Sequence, residues 1–140
     1  MRGIDHVNLA VDDLGESLAF YRDVLDLPVH REPEDFDGEH VMFTVGETIL
    51  TLMATGRADH WDPADLDHPL DTAHRAFDAE RAEFERLVDE LDGQFPMQGP
   101  YDWGTHEGFY FLDPSGNMLE VTTTDPPTVD RELLTHDDVE

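Results

Sequence analysis

Two stretches of this chain, each of about 50 residues, carry the same order of hydrophobic patterns: strand, helix, then three strands. A duplicated module of this kind limits the fold severely, because each copy must bury one face of its strands. In the first copy, residues 2–11 alternate apolar and polar, the period of a half-buried strand. Asp13, three residues before Glu16, is an N-cap with a capping-box partner. Leu14, Leu18, Tyr21 and Leu25 recur at helical spacing, so a helix is predicted over 14–25, ended by Pro28. Strands are expected from Val29 to Arg31, over Gly38–Val45 and over Thr48–Ala54, the last two turning at Gly46-Glu47. In the second copy a strand surrounds His74. A helix is predicted over 79–91 from Phe84, Leu87, Val88 and Leu91, with Gly93 just beyond its end. Strands follow at about 95–99, 107–113 and 117–124, the last two joined by Asp113-Pro114-Ser115-Gly116. The expected class is α+β, a single domain over 1–124. Module one covers 2–55, a linker or lid 56–70 and module two 71–124. An acidic tail follows over 125–140 and is expected to be poorly ordered.

The repeat gives a frame to three residues. His6 lies on the first strand of copy one and His74 on the first strand of copy two. Glu120 lies on the last strand of copy two, 46 residues after His74, and the matching place in copy one, 45 residues after His6, is Thr51. Two imidazoles and a carboxylate form the ligand set of a facial divalent-metal site with open positions for substrate. Strand parity supports it. His6 and Asn8 share a face opposite Val7, Leu9 and Val11, and Met118, Glu120 and Thr122 share a face opposite Leu119 and Val121. Tyr110 falls on the same side as Gly108 and Leu112, the ligand side. The set suits iron(II), manganese(II) or another first-row ion without choosing among them. Asn8 and Thr51 are read as substrate-binding positions and Tyr110 as a catalytic hydrogen-bond donor or acid/base.

Composition excludes several other functions. The 140 residues include 34 Asp and Glu against 8 Arg, no lysine and no cysteine, for a net charge of -26. There is no disulfide, thiolate ligand or thiol nucleophile. Nucleic acid and anionic membranes are poor partners for such a chain. No apolar run approaches the ~18 residues of a membrane span, and no secretion signal is visible, so a cytoplasmic protein is expected. The charge is spread through segments that still alternate, which reads as the solvated surface of a protein adapted to high salt. At molar salt the Debye length is roughly 3 Å, so self-repulsion is screened.

Three segments carry a resemblance to a known family: His6-Val7-Asn8-Leu9-Ala10-Val11-Asp12-Asp13-Leu14, Ser17-Leu18-Ala19-Phe20-Tyr21 with Val24-Leu25-Asp26-Leu27, and Gly108-Phe109-Tyr110-Phe111-Leu112-Asp113-Pro114-Ser115-Gly116-Asn117-Met118-Leu119-Glu120. Over residues 4–124 the chain resembles the vicinal oxygen chelate superfamily, which includes glyoxalase I, extradiol dioxygenases, fosfomycin resistance transferases and bleomycin resistance proteins. The resemblance implies paired βαβββ modules whose curved mixed sheets surround a metal cleft, a homodimer, and His6, His74 and Glu120 as metal ligands. Glyoxalase I enzymes carry a fourth ligand where this chain has Thr51, so three-ligand chemistry is implied instead, dioxygenase-like or lyase/transferase, on a small vicinal-oxygen substrate. Tyr110 has the spacing of the tyrosine that hydrogen-bonds catecholate in extradiol dioxygenases, but His106 stands too close to Phe109 to match their further histidine. Fosfomycin-binding members have a threonine where this chain has Asn8, and lysines that it lacks. The alternative is a metal-free, bleomycin-resistance-like binding protein.

Overall fold

Leu9 and Val11 are buried while Asn8 is exposed, so the first strand, β1 (His6–Val11), is half-buried as its alternation requires. The structure, a computed structural model, describes residues 1–35 and 38–138. It divides into two units, Met1–His60 and Trp61–Glu140.

In the first unit Asp13 caps helix α1 (Leu14–Ala19), its Oδ1 accepting from the Glu16 N–H at 2.8 Å. The helical stretch does not run on as one α-helix. Over Phe20–Val24 it widens to a π-helix, with Leu25 N–H donating to the Phe20 carbonyl at 3.1 Å. The buried positions are Ser17, Phe20, Tyr21 and Leu25, while Leu14 and Leu18 are only half-buried. The extra residue in the turn keeps both adjacent aromatics on the sheet side, which a uniform 3.6-residue period does not do. Asp26 ends the helix at φ 57, a left-handed conformation that a short polar side chain tolerates. β2 (Val29–Arg31), β3 (His40–Val45) and β4 (Thr48–Ala54) complete a sheet of order β1-β4-β3-β2, with β1 parallel to β4 and the rest antiparallel. Val41, Phe43, Leu50 and Leu52 are buried on its apolar face.

The second unit repeats this topology. Its sheet runs β5 (Arg75–Asp78), β8 (Met118–Thr123), β7 (Glu107–Leu112), β6 (Met97–Asp102), with the two-residue β9 (Leu134–Thr135) added at the β6 edge. β5 pairs parallel to β8, as β1 does to β4. Helix α2 (Arg81–Leu91) buries Phe84, Leu87, Val88 and Leu91, the predicted stripe, each contributing about 2 kcal/mol of burial. Buried Arg81 holds the following chain in place. Its guanidinium pairs with Glu107 and donates to the Asp125 carbonyl at 2.5 Å, and Arg131 reaches Asp89 at 3.2 Å.

Residues 61–71 contain two 3-10 turns, Pro63–Asp67 and Pro69–Asp71. The first is capped by Asp62, with Asp65 reciprocating, and buries Leu66. The last two residues of the predicted tail lie outside the described residues. Two mixed sheets with few helices make an α+β fold. Among the described residues no helix is long and apolar enough to cross a membrane.

Candidate functional site

β8 alternates so that Met118 and Glu120 face one side and Leu119 and Val121 the other. The hairpin before it fixes that register. Asp113 Oδ1 accepts from the Ser115 and Asn117 N–H groups at 2.9 Å, and Oδ2 from the Asn117 amide at 3.0 Å, while Gly116 takes φ 77. Glu120 thereby stands directly opposite Tyr110 of β7 and, on its other side, opposite Ala76 of β5.

His74 sits just before β5 rather than within it. Its Nδ1 lies 2.8 Å from the Thr72 carbonyl, so Nδ1–H donates there. Thr72 is itself pinned, its hydroxyl donating to the His68 carbonyl at 2.9 Å. His74 Nε2 then faces Glu120 Oε1 at 3.2 Å, while Glu120 is only 5% exposed. Oε2 of the same carboxylate is buried with no hydrogen-bond partner. With Nδ1–H committed to Thr72, a neutral His74 turns a lone pair toward a carboxylate. Two acceptors face each other, an arrangement that needs a cation between them, either a proton or a metal ion. The donor set and the orphaned oxygen fit a divalent metal.

The electrostatics follow. The hydrogen bond that the His74 imidazolium donates to the Glu120 carboxylate holds it above its ordinary 6.5, with burial opposing and the Thr72 carbonyl reinforcing. A histidine raised in this way contributes stability that is fully present below the ordinary value and is lost as pH rises through the folded one. Any metal that bound His74 Nε2 would have to displace that proton. If manganese(II) is bound through His74, its affinity should therefore fall at least about tenfold per pH unit below the raised His74 pKa and level off above it. Manganese titrations between about pH 5.5 and 8 read this slope, and a flat profile contradicts it.

Tyr110 is buried beside the pair, its ring edge-on to His74 at 5.1 Å. Burial pushes its hydroxyl well above the ordinary tyrosine value, and the Glu120 carboxylate adds to the shift. The Trp103 indole N–H works the other way, without the alignment of a full hydrogen bond. Tyr110 therefore stays protonated through the neutral range and can act as a donor, not as a base. Trp61 and Trp103 pack with Leu66 against Tyr101, Tyr110 and Met118, and both indole N–H groups are buried without a partner. Behind this wall Tyr110 is only 2% exposed.

In the first unit His6, Asn8 and Thr51 share one sheet face with His40, Met42 and Met53, around a hollow of about 320 Å³. His6 is exposed, and its Nδ1 lies 2.9 Å from Asp5 Oδ2, which leaves Nε2 open. Thr51 is buried. Pairing confirms it as the counterpart of Glu120: Thr51 lies opposite the residue two after His6, and Glu120 opposite the residue two after His74. Met42 is opposite Thr51 as Tyr110 is opposite Glu120. His74, Glu120 and Tyr110 are thus brought together in one unit, and His6, Asn8 and Thr51 in the other. Among the described residues, no group of three or more His, Asp or Glu side chains is gathered tightly enough to hold a metal. The sequence reading assigned no role to Thr72 or to Gly108, which lies beneath Glu120. A glycine inside a strand was the available signal for the second.

Residues 3–121 match the profile of the Glyoxalase/Bleomycin resistance protein/Dioxygenase superfamily. The chain is 28% identical over 125 residues to the glutathione transferase FosA of Serratia marcescens, covering 86% of this chain and 80% of that protein. Its fold is similar to that of a glyoxalase/dioxygenase from Nostoc punctiforme, with a TM-score of 0.68 at 29% identity over 89% of this chain and 92% of that one. A fosfomycin resistance protein, FosX, from Listeria monocytogenes, solved with manganese(II) and 1S,2S-dihydroxypropylphosphonic acid, shares the fold with a TM-score of 0.70 at 17% identity, over 89% of this chain and 94% of that one. With the profile match running from before β1 to within β8, the chain belongs to the glyoxalase/bleomycin resistance protein/dioxygenase superfamily.

Proposed function

We propose that this chain is a metal-dependent enzyme in which His6, His74 and Glu120 hold a divalent first-row ion, iron, manganese or another, and which acts on a small substrate through two vicinal oxygens. The observation that carries this reading is the His74–Glu120 pair, two acceptors face to face at 3.2 Å with the second carboxylate oxygen buried and unpartnered. His6 is supported as the third ligand by its register. It occupies on β1 the place that His74 occupies before β5, and Asp5 takes up its Nδ1, the usual outer partner of a metal-bound imidazole.

A divalent ion held by these residues would supply Lewis acidity. The protein's own residues do the rest. Tyr110, held protonated, donates a hydrogen bond to a substrate oxygen on which negative charge develops. Trp61, Trp103 and Leu66 keep water from that side. Asn8 and Thr51, paired on one face of the first sheet, offer an amide and a hydroxyl as substrate-binding groups. The reaction is dioxygenase-like or of lyase/transferase type, and the chain works as a homodimer.

A side-by-side assay separates these chemistries. Iron- and manganese-loaded protein is offered catechols, 2-oxoaldehyde–thiol adducts, methylmalonyl thioesters and an epoxide with a thiol, and its mass is followed by light scattering. Turnover that requires metal, of one substrate class and by a dimer, is the expected result. Protein that binds no metal, and that binds small molecules equally well with His6→Ala, contradicts the proposal and favours the metal-free binding protein.

A further inference from the structure

We infer that Gly108 is the positioning residue for Glu120: the missing side chain on β7 is the bed in which the carboxylate lies. This rests on the reading of Glu120 as a metal ligand. A Cβ built on Gly108 would stand 2.3 Å from Glu120 Oε2 and 3.3 Å from its Cδ, but 3.6 Å from its Cγ. The first separation is impossible, the second tight and the third ordinary contact. Only the tip of the side chain conflicts, and that tip is the ligand.

The backbone gives Gly108 no other reason to be glycine. Eight of the chain's glycines take positive φ, and Gly108 is not among them, so any residue can adopt its conformation. A glycine inside a strand otherwise weakens it, having no side chain to pack and more freedom to lose. The first unit supplies the contrast. Gly108 stands two residues before Tyr110, which is opposite Glu120, and His40 stands two residues before Met42, which is opposite Thr51. Where the sheet carries a long carboxylate, the diagonal neighbour is glycine. Where it carries a short threonine, the diagonal neighbour is a full-sized histidine. The space at 108 matches the length of the side chain at 120.

An alanine at 108 must therefore push Oε2 by about 1 Å and turn Oε1 away from His74. Metal sites tolerate only a few tenths of an ångström in ligand placement. Manganese(II) affinity is expected to fall about 10–100-fold, the usual cost of losing a ligand's support, while the fold is kept.

The test titrates manganese(II), with the free ion read by electron paramagnetic resonance, into wild type, Gly108→Ala, Glu120→Asp, the double variant, and Gly15→Ala as a control at a helical glycine where a Cβ makes only ordinary contact, 3.5 Å from Asp13 Oδ1. Aspartate places its carboxyl carbon near the position of the glutamate Cγ, where a Cβ at 108 makes ordinary contact. The double variant should thus bind within about twofold of Glu120→Asp alone, although Gly108→Ala is costly with glutamate in place. Gly15→Ala should bind as wild type. An unchanged affinity in folded Gly108→Ala, or an equal loss with either acid at 120, overturns the proposal. If Gly108→Ala fails to fold and the double variant folds, the proposal stands; if both fail, it does not. A crystal structure of metal-free Gly108→Ala reads the same claim without metal: the Glu120 carboxylate is expected to be displaced and its contact with His74 broken, and an unmoved carboxylate overturns it. If instead wild type and Glu120→Gln bind manganese(II) equally, the metal reading has failed, and the crystal structure still decides the role of Gly108.

Discussion

In buffer without added salt the chain should lose its cooperative unfolding transition, and molar potassium chloride should restore it. The charge behind this expectation is -26 on 140 residues, with no lysine to offset it. Several arginines are already committed locally: Arg22 to Asp23, Arg81 to Glu107, Arg86 to Glu83 and Glu90, and Arg131 to Asp89. With 34 acids against 8 arginines, most acids have no arginine to pair with. No basic residue lies in the last turn of α2, where Asp89 and Glu90 stand and Asp92 caps, so the negative end of the helix meets like charge. At 0.01 M salt the Debye length is about 30 Å, on the scale of the whole domain, and every such pair counts; at 1 M it is about 3 Å. A recovery of about 3 kcal/mol, or ~10 °C in midpoint for a chain of this length, is the least expected. Thermal melts followed by circular dichroism across a potassium chloride series measure it. A full cooperative transition in salt-free buffer, with a midpoint that salt does not move, contradicts the reading of the surface as salt-adapted.

Glu120→Gln should weaken manganese(II) binding by at least about 100-fold, close to 3 kcal/mol, with the fold intact. Glutamine keeps the volume and removes the charge, so packing around Tyr110 and Met118 is preserved. The buried carboxylate is in direct contact with His74 and supplies both the charge and the unpartnered oxygen that a cation needs. Isothermal titration of manganese(II) into both proteins reads the difference. Equal affinities mean that the metal, if bound, is held elsewhere.

Much of this fold is legible in the sequence, because both sheets obey simple parity. β2 and β4 have the bounds that their apolar alternation gives, and the stripe on α2 is the one buried. The π-turn at Phe20–Val24 is not legible: Leu14, Leu18, Tyr21 and Leu25 satisfy a 3.6-residue period, and only the sheet's demand for both Phe20 and Tyr21 reveals the wider turn. Nor does β9 show, since two residues carry no period. In the site, Glu120 and Tyr110 fall on the predicted face because each follows strand alternation from a well-marked hairpin. The tether from His74 to Thr72 is local in sequence but depends on a carbonyl's direction. The role of Gly108 depends on a side chain brought across the ladder from twelve residues away, which no local pattern records.

In the proposed site His6, His74 and Glu120 hold one metal ion. Pulsed electron paramagnetic resonance of manganese(II)-loaded protein, with ¹⁵N-labelled histidine, counts the imidazole nitrogens bound to the ion. The account predicts two in the wild type, and one each in His6→Ala and His74→Ala where binding persists at high metal. No bound nitrogen in the wild type, or a count that His6→Ala leaves unchanged, contradicts it.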